Sequence, residues 1–341
     1  MPDTQTNSAP VAVEVTRGGA VESRHRASAV VVDAGGKVMR QWGNIDQAVF
    51  PRSAIKSIQA LPLIETGAAE AYDLGDSEIA LACASHGAES FHTETVSAWL
   101  ARIGLTEADL ECGAHLPSHQ PSLESLLRGG GSPDQTHNNC SGKHLGFLTT
   151  ARHLGEPTKG YIGYDHPVQR RVIQVLSEMS GIDLSRAARG ADGCGIPTLA
   201  IPLTGIATAM ARFADPSGLA PERVQATKRI AQAITARPEM VAGTGRFCTA
   251  LIGESHGSIL AKTGAEGVYV AALPALGLGV AVKVDDGAGR ASQVAVAAVL
   301  RAIGAIDDDL EQALADSLVA PIHNRAGLRT GEVRPADGWA S

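Results

Sequence analysis

Phe50-Pro51-Arg52-Ser53-Ala54-Ile55-Lys56 is the stretch on which the reading of this chain turns. It holds a Ser-x-x-Lys spacing, and Ile55-Lys56-Ser57-Ile58-Gln59-Ala60-Leu61 continues it in a pattern that predicts a helix, with Ser53 at its first turn. On a helix, residues three apart share a face about 5–6 Å apart at Cβ, so the Lys56 amine is placed to take the Ser53 hydroxyl proton. Serine needs such a base before it becomes a nucleophile. Lysine serves as one when burial or a second cation lowers its pKa. The same spacing also describes an ordinary capped surface helix, so the rest of the chain has to decide.

Outward from this stretch the pattern changes twice. On the N-terminal side, Val11-Ala12-Val13-Glu14-Val15 and Ala27-Ser28-Ala29-Val30-Val31-Val32 are rich in β-branched residues, with Gly18-Gly19 and Gly35-Gly36 as turns. Two adjacent antiparallel hairpins follow from that pattern. From about 57 to 242 the chain reads as helical: 89–103 carries an apolar stripe of Phe91, Val96, Trp99, Leu100 and Ile103, and 168–179 and 222–234 behave alike. Strands return at 257–262, 267–272 and 278–284, and Ala291 to Ala302 reads as a last helix. The fold class is therefore α+β: an antiparallel sheet built from both chain ends around a large helical insertion. Residues 11–328 form one two-lobed catalytic unit, with a sheet lobe at about 11–56 and 243–310 and a helical lobe at about 57–242. Residues 1–10 and 329–341 read as disordered tails.

The 341 residues suffice for a sizeable core, which must be mostly aliphatic because aromatics are only 4% of the chain. Net charge is −7 and no lysine- or arginine-rich run occurs, which argues against a nucleic-acid partner. The first ten residues are polar and lack the basic and apolar regions of a signal peptide. No uncharged apolar run reaches the length of a membrane span. Five cysteines, at 83, 112, 140, 194 and 248, make no dense disulfide framework, so a reducing cytoplasm is expected.

Three further segments carry chemistry. Lys262-Thr263-Gly264 stands on or just after a returning strand. A serine after the N-terminal strands, a helical insertion and then Lys-Thr-Gly is the order seen in serine β-lactamases and penicillin-binding proteins, although no Ser-Asp-Asn motif occurs between them. Such a lysine supplies positive charge to a carboxylate or oxyanion, and the glycine lets backbone approach closely. In Cys83-Ala84-Ser85-His86-Gly87-Ala88-Glu89 the adjacent Ser85 and His86 side chains diverge, so they form no dyad by themselves. Ser85 either lines the same cleft or caps the helix beginning near Glu89. Asn138-Asn139-Cys140-Ser141-Gly142-Lys143-His144 and Asp192-Gly193-Cys194-Gly195-Ile196-Pro197 each set a cysteine among glycines and polar residues. Two thiolates with a nearby His or Lys can hold zinc. Buried neutral thiols or a redox pair are the alternatives. Gly142-Lys143 is not a phosphate loop, since His137 stands where the first glycine is required and His144 replaces Ser/Thr.

Together these segments resemble the asparaginase II proteins of the Rhizobium etli type, the third structural class of L-asparaginase. The resemblance runs in order through 51–59, 82–86, 137–144, 192–197 and 262–267, and covers roughly residues 10 to 310. It implies a fold like that of serine β-lactamases and glutaminases, and hydrolysis of L-asparagine to L-aspartate and ammonia. By motif position, Ser53 with Lys56 and Ser85 with Lys262 are the two catalytic serine–lysine pairs. Cys140, Lys143 and Cys194 are the implied zinc ligands, and Arg52, His144 and Asp192 the implied substrate-binding residues. A homodimer is the family's usual state. Two other readings stay open at this stage: a penicillin-recognising or β-lactam-hydrolysing serine enzyme on the same fold, and a non-catalytic zinc- or amino-acid-binding protein.

Overall fold

Gly18, Gly19 and Gly36 take left-handed backbone (φ +54°, +88° and +85°), which a side chain would disfavour. They turn the chain between β1 (Val11–Arg17), β2 (Ala20–Asp33) and β3 (Val38–Trp42). Both hairpins are antiparallel, with Val15 opposite Ser23 and Val31 opposite Arg40. The computed structural model describes residues 9–340. The strands returning after the helical part are β4 (Leu260–Thr263), β5 (Val268–Leu273) and β6 (Leu278–Val284). They are joined by β7 (Ala320–His323) and β8 (Arg329–Pro335). The eight strands form one sheet in the order β7-β8-β1-β2-β6-β5-β4, with β3 also on β2. The pairings β1–β2, β2–β3, β2–β6, β5–β6, β7–β8 and β1–β8 are antiparallel, so the expected α+β class holds.

Residues Ala27 to Val32 of β2 are all buried in succession. Because neighbours on a strand point to opposite faces, both faces of the sheet are covered there. The helices Leu203–Ala214 and Gly289–Ala302 supply the cover. Gly279 of β6 sits so close to Leu203–Ala214 that a Cβ would overlap the Ala207 carbonyl and the Ala211 amide. Glycine here sets the helix-to-sheet distance.

The chain divides into two compact units. One holds Met1–Ala54, Ile201–Asp215 and Ala261–Ser341; the other holds Ile55–Ala200 and Pro216–Leu260. The sheet unit thus takes in 201–215, which the periodicity assigned to the helical lobe, and gives up 243–260, most of which is the helix Phe247–Glu254. The expected C-terminal tail at 329–341 is corrected. β8 pairs Val13 with Pro335 and Val15 with Val333, and Trp339 is buried with its indole N–H on the Ala295 carbonyl at 3.2 Å. Gly289–Ala302 is followed by two more short helices, Asp308–Ala313 and Ala315–Leu318. Of the expected N-terminal tail, residues 1–8 lie outside the described residues, as does Ser341. Ala9 and Pro10 already accept hydrogen bonds from Arg26 Nη1 and the Ala27 amide.

The second unit is built on the helix Ser141–His153, whose residues Ser141 to Ala151 are all buried. A helix enclosed all round is the centre of a core, not a surface element. Trp99, Leu81, Leu145, Leu148, Ile58 and Leu63 are among the fully buried side chains of this unit. Trp99 Nε1 donates to Thr149 Oγ1 at 3.0 Å, so its one polar atom is satisfied. Among the described residues no helix is long and apolar enough to cross a membrane.

Candidate active site

In the sheet unit, Ala48–Val49 pairs with Ile201–Pro202, and the Leu203 amide donates to Gln47 O at 3.1 Å. These bonds pin the approach to Ser53. Residues Arg52–Ile55 then form a 3₁₀ turn, with Arg52 in left-handed backbone (φ 52°) and Ser53 half-buried. A non-glycine residue there costs roughly 1–2 kcal/mol, and such strain clusters at functional sites. Lys262, on β4, is buried, and its Nζ donates to Thr263 O at 2.7 Å. A Cβ on Gly264 would stand 2.6 Å from Pro51 O and 3.2 Å from the Ala54 amide. The glycine of Lys-Thr-Gly therefore brings the end of β4 against the Ser53 turn.

In the helical unit, Lys56 opens the short buried helix Lys56–Gln59 and is fully enclosed. Its Nζ donates to the Ala84 carbonyl, to Ser85 Oγ at 3.1 Å and to Cys140 Sγ at 3.2 Å. Three local features bring these groups together. A Cβ on Gly142 would overlap the Leu81 carbonyl, so the start of Ser141–His153 lies directly on the end of the helix Asp76–Ala82, which leads into the Cys83–Ser85 segment. Asn138 ties the turn before it, donating from Nδ2 to the carbonyls of Cys112 and Gly113 while its Oδ1 accepts from the Cys140 amide at 2.8 Å. The Ser85 amide donates to Val241 O at 2.9 Å. The cap of Ser90–Arg102 is Glu89, so Ser85 is not the N-cap of that helix.

Cys194 comes in on the turn of a small hairpin, Arg189–Ala191 with Pro197–Leu199. Gly195 supplies its left-handed residue (φ +89°), and Asp192 Oδ1 accepts from the Gly193 amide at 2.7 Å. Lys143, one helical turn after Cys140, donates to Cys194 Sγ at 3.0 Å and is fully buried. The hydrogen bond from the Cys194 thiol holds Cys140 well below the usual thiol range, helped by the nearby Lys143 and Lys56 ammoniums against the effect of burial. The same hydrogen bond, together with burial, pushes Cys194 up. Burial alone would lower Lys143, but the negative charges of Cys140 and Asp192, with its hydrogen bond to Cys194 Sγ, outweigh it and hold it charged. The cluster is thus a thiolate flanked by ammoniums. Its two soft sulfurs and one amine nitrogen, enclosed together, are a donor set that fits zinc once the protons leave. Among the described residues no group of three or more His, Cys, Asp or Glu side chains is placed to hold a metal ion.

The structure therefore gathers Lys56, Ser85, Cys140, Lys143 and Cys194 within one unit, and sets Asp192 close enough for its charge to act on Lys143. The sequence pairs Lys56 with Ser53, whereas the hydrogen bonds give Lys56 to Ser85. His144 is enclosed, with Nδ1 at 2.7 Å from Tyr161 Oη. Burial, then Lys143 and Lys56, keep its ring neutral. Several supports escaped the sequence reading. His86 Nδ1 accepts from the Ala88 amide, so its Nε2–H donates to Ser141 Oγ at 2.8 Å, and its ring stacks on His92 at 4.8 Å. His92 in turn reaches the Glu239 carbonyl at 3.1 Å, and Glu89 Oε1 accepts from the Thr244 amide at 2.7 Å. Only the bunching of His86, Glu89 and His92 along seven residues hinted at them.

Among solved structures, a class C β-lactamase from Rhodobacter sphaeroides is 14% identical over 79% of this chain and 92% of its own, with a TM-score of 0.40. A β-lactamase from Mycobacterium bovis is 12% identical over 86% and 95%, with a TM-score of 0.37. A D-alanine carboxypeptidase from Burkholderia cenocepacia is 14% identical over 79% and 90%, also with a TM-score of 0.37. No curated protein matches the chain. The L-asparaginase II family matches it over residues 13–335, a span that takes in Ser53, Lys56, Ser85, the Cys140–Lys143–Cys194 cluster, Lys262 and the C-terminal strand β8. On that match, the chain belongs to the L-asparaginase II family and is an amide-hydrolysing enzyme.

Proposed function

We propose that this enzyme hydrolyses L-asparagine to L-aspartate and ammonia through a serine nucleophile activated by Lys56. The observation that supports it most directly is the hydrogen bond between Lys56 Nζ and Ser85 Oγ. As an ammonium, Lys56 spends its three N–H bonds on Ala84 O, Ser85 Oγ and Cys140 Sγ. As a neutral amine it keeps two donors and gains a lone pair. The Ala84 carbonyl and a Cys140 thiolate only accept, so Ser85 is the partner that reverses, its O–H then pointing at Nζ. That is the arrangement of a general base holding a hydroxyl.

Ser53 stands three residues before Lys56, so chain connectivity keeps both in one neighbourhood. In the proposed course Ser53 Oγ attacks the side-chain amide carbon and its proton passes to Lys56. Ser85, held by Lys56, hands its proton to the departing amide nitrogen, which leaves as ammonia, and is reprotonated by Lys56. Water then hydrolyses the acyl-enzyme by the reverse proton path. By motif position Lys262 is the catalytic partner of Ser85, and Arg52, His144 and Asp192 are assigned to substrate. Zinc, held by Cys140, Cys194 and Lys143, would supply positive charge that orders the site. The five free cysteines support a reducing, cytoplasmic setting, and a homodimer goes with the family.

A coupled ammonia assay with asparagine and with glutamine tests the reading. Rapid ammonia release from asparagine is the expected result. Turnover of a chromogenic β-lactam with no ammonia from either amide would overturn it. Trapping the acyl-enzyme and sequencing the modified peptide assigns the nucleophile, expected at Ser53; label on Ser85 would transfer that role to the serine seen on Lys56.

A further inference from the structure

Tyr161 has no place in the reaction course above, yet it is wholly buried and ends on two polar groups. The Glu111 amide donates to its Oη at 2.9 Å, and Oη lies 2.7 Å from His144 Nδ1. His144 is fully enclosed, and its Nε2 has no partner among the described residues. Two proton arrangements are possible. If Nδ1 carried the proton, Oη would accept twice, its own O–H would have no acceptor, and Nε2 would be a bare lone pair: two unsatisfied buried groups. If Oη donates to Nδ1, Oη accepts once and donates once, and a single Nε2–H is left over. Buried polar groups without partners are costly, so the second arrangement wins.

We infer that Tyr161 is a positioning residue that locks His144 in the Nε2–H tautomer. The ring then presents one fixed N–H donor, suited to an oxygen acceptor, and no lone pair for a metal. Tyr161 is itself held on both sides, since Gln169 Nε2 donates to its carbonyl at 3.0 Å and Glu111 Oε1 accepts from the Gly160 amide at 2.8 Å. His144 follows Lys143 directly, so this lock decides whether a bound metal finds a fourth protein donor beyond Cys140, Cys194 and Lys143. With Tyr161 in place it does not. The part concerning the metal rests on the zinc reading above; the tautomer does not.

The test is long-range ¹H–¹⁵N spectroscopy of the full-length protein labelled at histidine nitrogens, metal-free and after zinc addition. One tautomer is expected for His144, with Nε2 protonated and Nδ1 as acceptor, unchanged when zinc binds. A Nδ1–H signal in either state overturns the inference. In Tyr161→Phe the lock is gone, and a mixture of tautomers is expected; a spectrum identical to wild type overturns it. Should that variant fail to fold, the wild-type spectra still decide. X-ray absorption at the zinc edge gives an independent check: an imidazole nitrogen in the metal shell contradicts the inference. Failure of zinc to bind at all contradicts the zinc reading alone and leaves the metal-free spectrum to judge the tautomer.

Discussion

Gly142 lies on the Leu81 carbonyl so closely that no Cβ fits between them. This contact joins the helix bearing Lys143 and His144 to the segment bearing Ser85. Gly142→Ala is expected to push the two apart, costing about 1–3 kcal/mol of stability, the usual range for an overpacked core. A misplacement on the order of 1 Å costs about 10²-fold in rate, so kcat should fall even at temperatures where the variant is folded. Thermal unfolding and steady-state kinetics read both effects; unchanged kinetics in a folded variant would mean that the contact does not set the site.

Lys56→Met keeps the length and apolar stem of the buried side chain and deletes the base. Loss of a general base typically lowers kcat by about 10²–10⁴-fold. Ser53→Ala should be at least as severe if it removes the nucleophile, and Ser85→Ala should fall between them and wild type. Activity within tenfold of wild type in Lys56→Met, measured by ammonia release, would rule out this lysine as the base.

Zinc content should follow the thiols. Protein purified without chelator is expected to carry near-stoichiometric zinc, and Cys140→Ser and Cys194→Ser each to lose most of it by elemental analysis. Both are expected to raise KM more than they lower kcat, because Lys56 and the serines remain. Metal binding must displace the protons of Cys194 and Lys143, which the metal-free cluster holds tightly. Affinity should therefore weaken as pH falls.

His92 gives a pH dependence of stability with a definite sign. Burial lowers its pKa to about 4, although the Glu239 carbonyl and the Glu89 and Glu239 charges favour the protonated ring. An unfolded histidine titrates near 6.5. Between these values the unfolded chain binds the extra proton, so stability is complete above about pH 6.5 and declines as pH drops toward about 4. The decline from this residue alone is on the order of 3 kcal/mol. His92→Phe should flatten that acid limb by one proton in urea unfolding across this range; an unchanged slope would show that His92 is not the group responsible.

The strands were legible where the pattern was local. β-branched runs bounded by glycines marked β1, β5 and β6 closely and β2 over its second half, and the Ser-x-x-Lys, Cys140 and Cys194 segments stood out by residue type. What escaped depended on distant pairing. β8 contains Gly331 and Pro335 among charged residues and reads as a tail, because only pairing with β1 and β7 makes it a strand. The helix 203–214 was placed in the wrong lobe because helical period says that a helix forms, not where it docks. Within the site, Tyr161 and Asn138 act through single hydrogen bonds to residues far along the chain, and no spacing rule encodes such bonds. The Lys56–Ser85 contact was hidden for the same reason, its partners standing 29 positions apart.

The long strand β2 keeps register with three others: its first half with β1, its second with both β3 and β6. Side chains on a strand alternate with a period of two, so adding or removing one residue inverts every position beyond the change. Between Ala27 and Val32 that inversion would exchange the two buried faces and break both neighbouring ladders together. Residues 20–33 should accordingly accept conservative replacements over evolutionary time but almost no insertion or deletion, while the turns at either end absorb changes in length.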